Sequence, residues 1–185
     1  MKDSNYSAPM EEDGAARVPA LARQSIETFV LSGELMKTPE NVSGILSERC
    51  ACFVSIKTRS RDLRGCIGTI EPARQTLAEE IIVNAVNAAS RDPRFPPVSP
   101  DELPNLVYSV DILAAPEAAT FEGLDPEIYG VIVEDESGWC RGLLLPDIEG
   151  VDTAAKQVEI AARKAGIPPG ATLKLWRFRV VRYRE

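Results

Sequence analysis

Histidine is absent from this 185-residue chain. Without imidazole there is no Ser-His or Cys-His catalytic arrangement, and no metal site that requires histidine. The four cysteines, Cys50, Cys52, Cys66 and Cys140, contain no Cys-x-x-Cys pair, so their spacing gives no thiolate metal motif. No run of 18 apolar residues occurs, and a membrane span is not expected. The N-terminus carries Lys2 and Asp3 and then Glu11-Glu12-Asp13, with no apolar core of a signal peptide. Cytoplasm is the expected compartment, and there the thiols stay reduced. Positive charge is scarce: 21 Lys and Arg stand against 28 Asp and Glu, a net of −7. That balance argues against a general nucleic-acid binder, which needs clustered cations for phosphate contacts. Arg177, Arg179, Arg182 and Arg184 form the one basic cluster, read as strand-edge and solvated-face charge. Nothing in the residues requires a metal or a cofactor.

What is present is ordinary for a globular protein. An apolar fraction of 44% and a charged fraction of 26% suffice for one substantial core, or for two small lobes sharing an interface. Residues 1–18 are polar and aperiodic and are expected to form a disordered tail. A helix is predicted from Pro19 to about Leu35, with Ile26, Phe29 and Val30 at helical spacing after Leu21 and Ala22. A short helical turn near Val42–Leu46 and a strand from Ala51 to Thr58 follow. Cys50 and Cys52 fall on the strand face of Val54 and Ile56, so both are expected to be core thiols.

The polar turn Arg59-Ser60-Arg61-Asp62 leads to Leu63-Arg64-Gly65-Cys66-Ile67-Gly68-Thr69, a hairpin partner for the first strand. Seven residues hold a cation, a thiol, a hydroxyl and two glycines. On an extended backbone Arg64 and Cys66 share one face, and Leu63, Ile67 and Thr69 the other. A guanidinium beside a thiol favours the thiolate. Gly65 and Gly68 let a ligand or a second backbone segment come close. The bland reading is a tight strand crossing around a small apolar cysteine.

Thr76-x-x-Glu79 has the form of a capping box, and Leu77, Ile81, Ala85 and Ala88 make the apolar stripe of a second helix. Ser90 to Pro100 holds four prolines with Arg91, Asp92, Arg94 and Phe95. It reads as an ordered loop whose arginines either line a pocket, with Asp92 orienting one of them, or form a structural salt-bridged cover. Asn105–Ala114 alternates as a half-buried strand, and 116–126 is a connection and a candidate lobe boundary. A hairpin turns at Asp135-Glu136-Ser137-Gly138. A third helix spans Thr153–Ala165, capped by Asp152 and ended by Gly166. Thr172–Tyr183 is read as one long strand. Hairpins with interspersed helices define an α+β fold with largely antiparallel sheet.

Leu63 to Thr69 followed by Ile70-Glu71-Pro72, Arg91-Asp92-Pro93-Arg94-Phe95-Pro96-Pro97 and Arg141-Gly142-Leu143-Leu144-Leu145-Pro146 resemble, in order, the motifs of the AMMECR-type family. The resemblance covers most of the chain from about Leu21, so residues 19–185 read as a single AMMECR-type domain. It implies an α+β fold with a larger and a smaller lobe and the signature near the cleft between them. It also implies companions of the MEMO type and the radical-SAM type, as in the microbial AmmeMemoRadiSam grouping, and supplies no mechanism.

Two main readings follow. In one, the region around Leu63–Thr69 binds a small or extended anionic ligand, with Cys66 as the candidate nucleophile. Arg64 would lower the thiol pKa or hold the ligand's charge, Thr69 would give a hydrogen bond, Arg91 and Arg94 would be second-line anion contacts with Asp92 orienting one of them, and Gly65 and Gly68 would let the ligand come close. The missing histidine leaves only a carboxylate such as Glu71 or Asp92 as base. In the other, the signature is a non-catalytic docking groove for a protein partner. A third reading makes Cys66 a redox sensor resolved by Cys140.

Overall fold

A computed structural model describes the backbone from Glu12 to Glu185 and the side chains from Ala16 onward. Of the expected tail, residues 1–11 lie outside the described residues. Helix α1 (Glu12–Ser32) starts ahead of Pro19 and contains it. Val18, Leu21, Ala22, Ser25 and Ile26 are all buried, so the stripe read from Leu21 onward extends one turn further back than the proline suggested. The helix ends at Gly33, whose φ of +77° places it in the left-handed region and whose N–H reaches the Phe29 carbonyl at 2.8 Å.

The chain divides into two compact units, one running to Ile112 and taking in Arg182–Glu185, the other Leu113–Val181. In the first, strands β1 (Ala51–Thr58) and β2 (Leu63–Gly68) form the expected antiparallel hairpin. With β3 (Leu106–Leu113) and β8 (Val180–Arg184) they make a sheet of order β2-β1-β3-β8, so the signature strand lies at an edge. Helix α2 (Leu77–Ser90) is capped by Thr76, whose hydroxyl accepts the Glu79 N–H. It packs on β1, β2 and α1, over a core that includes Cys52, Val54, Ile56, Ile81 and Ala85. Cys50 and Cys52 are both buried, as expected of core thiols.

The second unit carries the antiparallel sheet β4-β7-β5-β6, built from β4 (Glu117–Ala118), β7 (Leu173–Phe178), β5 (Gly130–Asp135) and β6 (Arg141–Leu144). Helix α3 (Ala154–Lys164) packs on β5 and β6, and its core is Val131, Val133, Ala161 and Ile167. The helix is capped by Thr153, which accepts the Lys156 N–H, and not by Asp152. Both residues are good caps, and the one immediately before the first helical residue takes the position.

The expected single strand over 172–183 is two strands in two different sheets. It breaks at Arg179, whose carbonyl accepts the Ala114 N–H. The alternation of apolar residues runs through the break, so periodicity alone does not expose it. The architecture is α+β with antiparallel sheets. Among the described residues no helix is long and apolar enough to cross a membrane.

Candidate functional site

The signature strand is built from its pairing outward. Cys66 sits opposite Ser55, Gly65 opposite Ile56 and Leu63 opposite Lys57, so the register skips Arg64 as a one-residue bulge. A bulge re-aims its side chain. Arg64 reaches Glu102, with Nε–Oε2 at 2.6 Å and Nη2–Oε1 at 2.9 Å, and its guanidinium lies 5.8 Å from the centre of the Phe95 ring. The Glu102 carboxyl is drawn down to about 2 by this bidentate guanidinium, with the Ser99 N–H also donating to it.

The Ser90–Pro100 loop covers the outer edge of β2. The Asp92 carboxylate accepts the Cys66 N–H at 2.8 Å, while Arg94 donates to the Cys66 carbonyl at 3.3 Å. Arg94 also binds Asp92 bidentately, at 2.9 and 2.6 Å. Two side chains thus satisfy the two backbone groups that an edge residue would leave open. Asp92 is almost fully buried, and hydrogen bonding from Arg94 draws its carboxyl down to about 2, with the Cys66 N–H acting in the same sense.

Cys66 is half-buried, and its sulfur accepts a hydrogen bond from the Ser55 hydroxyl at 3.2 Å. Burial pushes its thiol up. The Ser55 hydrogen bond and the Arg94 charge act in the opposite sense, and the charges of Asp111 and Asp92 add to the rise. The guanidinium of Arg64 is held by Glu102, the cation that acts on Cys66 is Arg94, and desolvation outweighs it.

The remaining expected residues divide between structural and open roles. A Cβ on Gly65 would strike the Ala88 carbonyl of α2, and one on Gly68 the Phe53 ring and the Cys52 carbonyl. The second backbone segment that approaches at Gly65 is therefore α2. Thr69 donates its hydroxyl to buried Glu80 at 2.6 Å, and Glu80 also accepts the Ala73 and Arg74 N–H groups. Arg91 is exposed after the end of α2. Arg94 keeps 53% of its side chain accessible. Arg64 Nη1 is buried with no hydrogen-bond partner among the described residues.

Ser55, Glu102 and Asp111 were not singled out from sequence, and Phe95 was named in its loop without a role. Ser55 follows from the hairpin register once Cys66 is placed. Glu102 stands in a Ser99-x-x-Glu102 capping box whose form was visible. Asp111 lies on strand β3 and is buried against Arg182, at 2.6 and 3.1 Å. Of the C-terminal basic cluster, Arg179 and Arg184 are exposed, as expected of solvated-face charge, while Arg177 binds Glu117 and both Arg177 and Arg179 lie over the Tyr129 ring, at 4.4 and 4.9 Å. Among the described residues no group of three acidic or thiol side chains is placed to hold a metal ion.

The chain belongs to the AMMECR1 family, whose model matches residues 19–185. It is 49% identical over 162 residues to a Thermotoga maritima protein, covering 86% of this chain and 92% of that one. A Clostridium acetobutylicum protein is 44% identical across 100% of this chain, which spans only 38% of that protein. The crystal structure of an uncharacterised Pyrococcus horikoshii protein shares the fold, with a TM-score of 0.81 and 31% identity over 89% of this chain and 88% of that chain.

Proposed function

We propose that the face carrying Ser55, Cys66 and the Arg91–Phe95 loop is a non-catalytic docking surface for a protein partner, of the MEMO or radical-SAM type that the family resemblance implies. One observation carries this reading: the charges of the signature are spent internally. Arg64 is held by Glu102 and Arg94 by Asp92, so neither guanidinium offers a full, free charge to an anion. A thiol pushed up by burial is a poor nucleophile near neutral pH. A rigid surface assembled from paired groups suits recognition, because little side-chain entropy remains to be lost on binding.

A second reading, a small anionic ligand, is favoured by the buried and unpartnered Nη1 of Arg64 and by the exposed Arg91. Recovery of the full chain from native lysate separates the two. The docking reading expects a stoichiometric protein partner that shields Cys66 from alkylation. The same partner should be retained by Cys66→Ser and lost by Arg91→Glu. A retained small molecule with no protein partner supports the second reading and sinks the first.

A further inference from the structure

The tip of the β5–β6 hairpin in the second unit carries the most exposed large hydrophobic side chain among the described residues. Trp139 is 91% exposed there, a position where a large apolar ring is left in water without a covering group. Beside it in the chain, Cys140 lines a cavity of about 340 Å³ together with Asp135, Glu136, Ile167, Pro168 and Ala171. The lining residues include two carboxylates and no cation. Its apolar part comes from the α3–β7 connection and its charge from the hairpin turn.

The tip is held in place. Asp135 accepts the Ser137 hydroxyl at 2.6 Å and the Cys140 N–H at 3.2 Å, and the Ser137 hydroxyl accepts the Trp139 N–H at 3.3 Å. Gly138 takes a φ of +77°, which the turn requires and which glycine adopts without strain. The ring of Trp139 is thus carried on a fixed backbone, so little ordering is needed when a partner meets it.

We propose that this tip and cavity form a second docking site, for a partner-protein segment that presents an arginine or lysine beside a bulky apolar residue. The apolar residue fills the cavity over Ile167, Pro168 and Ala171. The cation lies between the Trp139 face and the Asp135–Glu136 carboxylates, where ring and charge both attract it. An exposed tryptophan, here between Ser137 and Cys140 of the cavity lining in the chain, is the kind of anchor on which interface energy concentrates. The site is independent of the docking face proposed around Cys66, because every residue it uses belongs to the second unit.

The test uses the full chain and a capped Leu-Arg-Leu-Arg peptide, with a Leu-Glu-Leu-Glu peptide as control. Binding is read by calorimetry and by tryptophan emission in a Trp176→Phe background, so that the signal comes from Trp139. The expected result is a blue shift that saturates below about 1 mM of the basic peptide, and none with the acidic one. Glu136→Lys weakens binding by about tenfold or more, and Trp139→Ala removes the binding heat. Both residues are exposed, so circular dichroism should match the parent. Absence of a shift, equal binding of both peptides, or indifference to Glu136→Lys overturns the proposal. So does self-association of the peptide-free chain that Trp139→Ala abolishes, since the occupant would then be a second copy.

Discussion

Asp92 accepts the backbone N–H of Cys66 at 2.8 Å across 26 residues of sequence. That bond ties the proline-rich loop to the edge of the signature strand. Removing it leaves an edge N–H and the Arg94 guanidinium without their carboxylate. Asp92→Ala is expected to cost about 2–3 kcal/mol, a fall in Tm of roughly 5–10 °C for a chain of this size. Thermal unfolding measures it.

Acid should act through the same residue. The Asp92 carboxyl is at about 2 in the folded chain against an ordinary value of 3.8. A depressed folded pKa contributes stability above the unfolded value, and that contribution is lost as pH falls from about 4 towards 2. For a side chain this buried, it amounts to about 2 kcal/mol. Glu102, also held near 2, is lost over the same range with the same sign. Urea midpoints at pH 5, 4 and 3 should fall more steeply in the parent than in Asp92→Asn, which lacks the titrating group.

Arg64 binds Glu102 through a two-pronged guanidinium and covers Phe95. Lysine cannot reproduce that fork. Arg64→Lys should therefore recover less than half of the stability lost in Arg64→Ala, a loss expected at about 2 kcal/mol. Denaturant midpoints of the two variants decide this.

Gly65 separates packing from ligand approach. Because α2 occupies the space beside it, Gly65→Ala should destabilise by about 1–3 kcal/mol through overpacking. Unchanged stability would mean that the space is open.

The sequence made some of this legible and hid the rest for physical reasons. The β1–β2 hairpin, the Thr76 cap and the buried pair Cys50 and Cys52 follow from local chemistry, so they could be read directly. The partners of the signature could not. Arg64 finds Glu102 and Cys66 finds Asp92 only because the loop after α2 returns to the edge of β2, and periodicity says nothing about such a return. Gly65 was rightly read as a place of close approach, but what approaches is set by how α2 packs. Arg182 looked like surface charge and is half-buried in an ion pair with the buried Asp111, because the last strand pairs with β3 and not with its sequence neighbour β7.

On the docking reading proposed above, Cys66 is a thiol held by Ser55, Asp92 and Arg94. Its alkylation rate as a function of pH, located by peptide mass spectrometry, tests this most directly. Burial outweighs the help of Ser55 and Arg94, so the rate should stay low at neutral pH and rise only above the reference thiol value of about 8.5. A rate already at its plateau near pH 7 would reveal a thiolate in the signature and overturn the non-catalytic reading.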